Sequence, residues 1–240
     1  MMAVILAGGR GTRLKPFTVT VPKPLLPLGD VPILEVVIRQ LVGAKASRLV
    51  LALGHQPQLF MASIGDGRRW GVNIEYCVED EPLGTAASLR LVPELDENFL
   101  VMNGDLLTTL DYRRLYQTHV GRRALGTIAL SSREVKIDYG VITVGRSGSL
   151  AGYSEKPVIP YLVSTGIYVL SKRCLEFIPK KGKFDMPQLM LAMKNAGRRV
   201  LCFKSDCYWQ DIGRFDDYER ASADFVADPS RFVPSEKVRP

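Results

Sequence analysis

An apolar run, Ala3 to Ala7, opens directly into Gly8-Gly9-Arg10-Gly11-Thr12-Arg13-Leu14. This junction constrains the chain more than any other stretch. The apolar run reads as a buried strand, and the glycines let the backbone turn tightly and approach a ligand closely. Amide groups in such a loop cradle phosphate oxygens. Two known phosphate loops are excluded. A Walker loop ends in Gly-Lys-Ser/Thr, whereas Arg13 follows Thr12, and a dinucleotide fingerprint starting at Gly9 needs glycine or alanine where Leu14 stands. Glycines alone would fit a ligand-free turn, but this loop carries Arg10 and Arg13 and is soon followed by Lys23. Pro22 and Pro24 stiffen the chain on either side of that lysine, which suits it to meet phosphate.

The rest of the chain alternates strand-like and helix-like segments. Val31 to Val42 is helix-like, Leu49 to Leu53 strand-like, Gln56 to Ile64 helical and Val72 to Val78 a strand. Thr85 to Leu91 is a short helix candidate, followed by the strand Phe99 to Met102, the helix Tyr112 to Val120 and the extended run Gly126 to Leu130. This order predicts an α/β fold, Rossmann-like, with a mostly parallel central sheet and helices on both faces. After Ser131 the pattern changes. Gly140 to Val144 and Leu150 to Ser154 flank Gly145-Arg146-Ser147-Gly148, a hairpin signal. Ser164 to Leu170 and Val200 to Phe203 read as strands, and Met186 to Asn195 and Phe215 to Val226 as helices. The division expected is one domain over 1–227, with a nucleotide-binding half to about residue 130 and a sugar-phosphate-binding half over about 131–227. The proline-containing stretch 228–240 is expected to be a loose tail.

Composition narrows the partners. The chain has 240 residues, is 46% hydrophobic and 24% charged, and carries a net charge of +7. The basic residues are spread along the chain, which argues against a nucleic-acid stripe and suits anionic small ligands. The one dense cluster is Lys180, Lys181 and Lys183. Gly-Arg-Arg recurs at Gly67, Gly121 and Gly197; the last two are expected to be helix-terminating glycines followed by solvated arginines. Cys77, Cys174, Cys202 and Cys207 form no Cys-x-x-Cys, and His55 and His119 lie far from them, so no zinc site is expected. Buried, reduced thiols of a cytoplasmic protein are expected instead. Met1 to Ala7 lacks a basic leader and is too short for a signal segment. No run approaches the roughly 20 apolar residues of a membrane span.

The run from Leu6 through Leu14, with Pro22-Lys23-Pro24-Leu25 and Gly29, resembles the signature of the sugar-1-phosphate nucleotidyltransferases, the nucleotide-sugar pyrophosphorylases. The likeness continues in order through Gly84-Thr85, Asn103-Gly104-Asp105, Tyr139-Gly140, Glu155-Lys156-Pro157, Thr165-Gly166-Ile167-Tyr168 and Asp211-Ile212-Gly213. It implies a reaction between a nucleoside triphosphate and a sugar 1-phosphate, yielding a nucleotide sugar and pyrophosphate. Leu6, Ala7, Gly8, Gly9, Gly11, Thr12, Arg13, Lys23, Gly84, Thr85 and Asp105 are then nucleotide-binding. Asp105 and Asp211 are implied ligands of Mg²⁺, which takes one or two carboxylates and completes its shell with phosphate and water. Gly140, Glu155, Lys156 and Thr165 fall on the sugar-phosphate side. Arg13, Lys23 and Lys156 are the implied catalytic cations. Two departures stand out: a phosphate-gripping arginine found in some relatives is replaced near Lys180 by lysines, and the chain has no room for the C-terminal β-helix domain that many relatives add.

The base and sugar are open at this level. Glu79-Asp80-Glu81-Pro82-Leu83-Gly84-Thr85-Ala86-Ala87 resembles the guanylyltransferases that act on mannose or heptose 1-phosphate, and guanine presents ring and amino N–H donors to acidic groups. A thymidylyl- or uridylyltransferase acting on glucose 1-phosphate is the alternative. A glycosyltransferase is disfavoured because Leu106-Leu107 follows Asp105 where Asp-x-Asp would stand. A non-catalytic nucleotide-sugar sensor that kept the fold is a further alternative, and homo-oligomeric assembly is left open.

Overall fold

Strands alternate their side chains between two faces, and here both faces are covered. In β1 (Met2–Ala7), Ala3, Ile5 and Ala7 enter one hydrophobic cluster while Met2 and Val4 enter another. The computed structural model describes residues 1–9 and 11–233. Arg10 and the residues beyond 233 lie outside the described part.

The elements follow in chain order. The short pair β2 (Pro27–Leu28) and β3 (Val31–Pro32) leads into α1 (Ile33–Gly43). Then come β4 (Arg48–Leu53), α2 (Pro57–Ile64), β5 (Asn73–Val78), β6 (Asn98–Asn103) and β7 (Leu106–Thr108). After α3 (Tyr112–Gly121) come β8 (Gly126–Lys136), β9 (Val141–Val144), β10 (Leu150–Ser154) and β11 (Val158–Ser171). The last are α4 (Met186–Asn195), β12 (Val200–Lys204), β13 (Trp209–Asp211) and α5 (Phe215–Ala227).

Seven strands form one sheet in the order β12-β8-β11-β6-β1-β4-β5. Only β11 runs against its neighbours, β6 and β8. The expected mostly parallel sheet is present, and the boundary near residue 130 falls inside β8, so the two halves share one sheet. One face is covered by α1, α2 and α3 through Leu34, Ile38, Phe60 and Leu115; the other by α4 through Met186, Leu189 and Met193. A third cluster packs α5 against α1 through Ile33, Val36, Ile212, Ala221 and Phe225. In α1, the β-branched run Val36-Val37-Ile38 is a weak helix former. All three are fully buried, and each such side chain gains about 1.5–3 kcal/mol from burial. Packing therefore decides this helix.

Several expectations are revised. Thr85 to Leu91 is a 3-10 turn over Ala87–Leu91, because the Ala86 and Ala87 amides both donate to the Phe184 carbonyl. The strands expected at 126–130 and 164–170 are longer, since Ser131 to Lys136 pairs with Val158 to Val163 as a two-stranded arm beyond the sheet. Residues 228–233 are not loose: Phe232 is buried and its carbonyl accepts from the Gln40 side chain; the remainder of the expected tail lies outside the described residues. Gly197 takes the left-handed conformation after α4, as expected, whereas Gly121 closes α3 and Arg123 takes that conformation instead. Cys77 and Cys174 are buried, but Cys202 is exposed and Cys207 half-buried, so the expected burial holds for two thiols. Among the described residues no helix is long and apolar enough to cross a membrane.

Candidate active site

The carboxyl ends of β1, β4 and β6 meet at one edge of the sheet. Leu6 lies opposite Asn103 and Ala7 opposite Leu53. The Gly104 amide donates to the Leu6 carbonyl at 2.9 Å. A Cβ on Gly54 would lie 2.8 Å from the Gly8 carbonyl oxygen, so a glycine there lets the first loop cross the end of β4. Two continuous hollows open at this edge, of about 340 and 270 Å³, and share Leu6, Gly9 and Asp105. The smaller is lined by Ala7, Gly11, Thr12, Arg13, Lys23 and Pro24; the larger by Gly8, Glu79, Gly84, Thr85, Asn103 and Asp185, among others. Every residue expected to bind the nucleotide therefore lines this cleft.

Gly11 has a φ of +60°, and a Cβ there would lie 3.1 Å from the Cβ of Lys23. The loop is thus closed onto the Pro22-Lys23-Pro24 turn, with the Thr18 hydroxyl donating to the Gly11 carbonyl at 2.8 Å. Lys23 is 6% exposed, and its Nζ lies 2.5 Å from Asp105 Oδ2. A buried ammonium requires such a partner.

Asp211 reaches the same place from far along the chain. β13 pairs antiparallel with β7, setting Asp211 opposite Leu106, and the Ile212 amide donates to the Asp105 carbonyl at 3.2 Å. Burial and the charge of Asp105 push the Asp211 carboxyl above the usual carboxylate range, opposed by Lys23 and Arg13. Arg13 Nη1 would lie 3.4 Å from a Cβ on Gly213, and Asp211 Oδ2 3.5 Å from the same point. Arg13, Lys23, Asp105 and Asp211 thus form one cluster.

This cluster fits a divalent cation. Burial first and the Asp105 charge second raise the Asp211 carboxyl, and a cation beside the two carboxylates would relieve both. Among the described residues no group of three or more His, Cys, Asp or Glu side chains is placed to hold a metal. The chain offers two carboxylates, so a divalent ion held there would complete its shell with phosphate and water.

The sugar-side residues stand apart from this cluster. Glu155 Oε2 accepts from the Tyr153 hydroxyl at 2.9 Å, beside Gly140, where any Cβ would collide with that hydroxyl. Lys156 is exposed, has a φ of +43° and makes no hydrogen bond or ion pair among the described residues. Thr165 is buried, and its hydroxyl donates to the Ala129 carbonyl at 2.9 Å, so its side chain serves the sheet.

Sequence reasoning missed Asp185 and Lys183 as cleft residues. Asp185 Oδ1 accepts from the Thr85 amide at 3.0 Å, and the Thr85 hydroxyl accepts from the Met186 amide at 2.8 Å. Gly84, with a φ of +86°, leaves room for this clasp. In sequence, Asp185 before Met186-Pro187 reads only as a helix cap, which it also is. Glu79 belongs to the acidic segment read as base-proximal, and the structure singles it out: it accepts from the Leu83 amide at 3.1 Å, lines the cleft and is raised in pKa by burial.

The nucleotidyl transferase family model matches residues 2–227. The chain belongs to that family. A mannose-1-phosphate guanylyltransferase of Mycobacterium tuberculosis is 29% identical over 93% of this chain and 64% of its own length. A UTP–glucose-1-phosphate uridylyltransferase of Synechocystis is also 29% identical, over all of this chain and 68% of its own length. The D-glycero-α-D-manno-heptose 1-phosphate guanylyltransferase of Aneurinibacillus thermoaerophilus is 30% identical over 92% of this chain and 96% of its own length. The chain thus spans about two thirds of the first two relatives and nearly all of the third. Among solved structures, HddC of Yersinia pseudotuberculosis superposes with a TM-score of 0.71 at 24% identity, covering 93% of this chain and 99% of its own. That likeness shows the fold alone, which is Rossmann-like.

Proposed function

We propose that this nucleotidyltransferase joins a nucleoside triphosphate to a sugar 1-phosphate, releasing pyrophosphate, with GTP and a manno-configured hexose or heptose as the favoured substrates. The observation that carries the reaction class is the cluster of Arg13, Lys23, Asp105 and Asp211 at the mouth of a glycine loop on the carboxyl edge of the sheet. A sugar phosphate is already anionic near neutral pH, so attack on the α-phosphorus requires no general base. Positioning and charge stabilisation then suffice. Arg13 and Lys23 hold the triphosphate and steady the departing pyrophosphate, while the loop amides bind phosphate oxygens. Lys156, unpaired on its hairpin connection, aligns the sugar phosphate, with Glu155 and Gly140 toward the sugar. Asp105 and Asp211 hold Mg²⁺, which when bound neutralises the phosphate charge.

Two observations favour guanine. Relatives named as guanylyltransferases include one of almost the same length. Glu79 presents a half-buried carboxylate to the cleft, able to accept the donors that guanine carries. A site built on buried hydrogen bonds discriminates by up to about 10⁴-fold or more. The alternative, a uridylyl- or thymidylyltransferase acting on glucose 1-phosphate, draws on the Synechocystis relative. Free cysteines and the lack of a membrane-crossing helix among the described residues support a cytoplasmic location. The test is pyrophosphate release from GTP, dTTP, UTP, CTP and ATP, each with mannose, heptose and glucose 1-phosphate. GTP with a manno sugar should give the highest kcat/KM, and activity should vanish on chelation. A preference for UTP or dTTP would overturn the guanine reading, and turnover without divalent ions would overturn the metal.

A further inference from the structure

A second hollow lies away from the cleft. A cavity of about 540 Å³ opens at the opposite edge of the sheet, where β6, β8 and β12 begin. It includes Asn98, whereas the cleft includes Asn103 at the other end of β6. At about 3.3 Å per residue this separates the two by roughly 16 Å.

Four arginines line it: Arg123, Arg173, Arg198 and Arg199. They come from the turn after α3, the turn after β11 and the turn after α4. Two of the three Gly-Arg-Arg triplets, which read in sequence as solvated caps, therefore converge here. Backbone hydrogen bonds stitch the three segments together. The Leu125 amide donates to the Arg199 carbonyl at 2.9 Å, and the Ser171 amide to the Leu125 carbonyl at 3.0 Å. Arg199 is further held by a bond from its guanidinium to the Arg122 carbonyl.

The guanidinium groups of Arg123, Arg173 and Arg198 make no hydrogen bond or ion pair among the described residues. Two carboxylates line the same cavity without neutralising them. Glu97 accepts instead from the Ser171 hydroxyl at 3.2 Å, and Glu176 makes no ion pair among the described residues. Beside the charges lie Val120, Leu125 and Phe177. Guanidinium groups are weakly hydrated and bind phosphate bidentately. The volume lies in the range of small-molecule sites.

We propose that this cavity is a second ligand site, for a phosphorylated small molecule of mononucleotide size. Arg123, Arg173 and Arg198 hold the phosphate, and Val120, Leu125 and Phe177 support the uncharged part. The cleft ends in loops and the cavity in turns of the same sheet, but no residue lines both, so the two sites are separable by substitution.

Pyrophosphate is the probe, measured by equilibrium dialysis with magnesium present. Wild type should show two classes of site. Arg123→Ala/Arg198→Ala should weaken one class at least ten-fold and leave the other intact, whereas Lys23→Ala should do the opposite. Arg68→Ala/Arg69→Ala, in the third triplet and outside the cavity, should change neither. Arg123→Ala/Arg198→Ala binding like wild type, loss of all binding in Lys23→Ala, or an equal loss in the Arg68→Ala/Arg69→Ala control would overturn the second site. If Lys23→Ala changed nothing while Arg123→Ala/Arg198→Ala lost binding, the cavity would stand and the reading of the cleft would fall. A guanosine diphosphate titration then tests the apolar part: it should bind the cavity more tightly than pyrophosphate in Lys23→Ala, and equal or weaker binding would remove Val120, Leu125 and Phe177 from the site.

Discussion

Lys23 is the residue on which the cleft turns. It is buried, paired with Asp105 and within electrostatic reach of Asp211, so its charge is fixed in place before any substrate arrives. Removing a preorganised charge of this kind costs about 10²-fold or more in rate. Lys23→Ala should therefore lower kcat by about that factor, read by steady-state pyrophosphate release. An unchanged kcat with a raised KM would mean that Lys23 binds ground state and transition state alike. His119 carries a separate, structural prediction. It is fully buried, with Nδ1 2.8 Å from the Thr127 hydroxyl and Nε2 3.1 Å from Asn98 Oδ1. Burial pushes its pKa down to about 4 from the ordinary value of 6.5. The unfolded chain then takes up a proton below about pH 6.5 that the folded protein refuses until about pH 4. Stability is complete above the unfolded value and falls as the pH drops through this window, by about 2 kcal/mol at pH 5. Urea midpoints of wild type should decline between pH 7 and 5 more steeply than those of His119→Gln, and parallel curves would remove His119 from the account.

At the scale of elements, the short β7–β13 ladder decides whether the two aspartates meet. β13 has three residues, too few to hold itself, and is secured from outside. The Trp209 indole donates to the Thr165 carbonyl at 2.9 Å, and Arg133 donates to the Trp209 carbonyl at 2.6 Å while its guanidinium sits 4.8 Å from the Trp209 ring centroid. Trp209→Ala should loosen Asp211 without touching it. The expected result is a higher magnesium concentration for half-maximal activity, with most of kcat regained at saturating metal. A variant whose activity stays low at every magnesium concentration, or whose magnesium dependence matches wild type, would break the link between ladder and metal. The same logic explains why Thr165 belongs to the site's frame. Its hydroxyl bonds β8 and its carbonyl takes the Trp209 indole, so it positions other groups by its backbone.

For the whole molecule, the parallel arrangement gives the sheet two unlike edges. The carboxyl edge gathers β1, β4 and β6 into a cleft, while the amino-terminal edge of β6, β8 and β12 holds the arginine-lined cavity. The arm formed by β8 and β11 carries the β9–β10 hairpin, with Glu155 and Lys156, past the carboxyl edge. This separation makes the functional predictions independent of one another: the substrate panel probes the cleft, and pyrophosphate stoichiometry probes the far edge.

Local periodicity and turn chemistry determined much of this protein. The apolar run before Gly8, the alternation of strands and helices, and the hairpin at Gly145-Arg146-Ser147-Gly148 are all local signals, and most of these elements lie where their own residues predict them, Thr85 to Leu91 being the exception. The ordered motifs from Leu6 to Asp105 likewise made the residues that line the cleft legible, since glycine positions and Pro-Lys-Pro stiffness are written in neighbouring residues. What only the tertiary structure decided are meetings between distant segments. Asp185 clasps Thr85 across 100 residues, and Asp211 reaches Asp105 through a ladder too short to be read in sequence. Phe232 abandons an apparent tail for the core, and two Gly-Arg-Arg triplets turn toward one cavity. Each of these is fixed by packing and pairing against a partner far along the chain, and no window of sequence contains both partners.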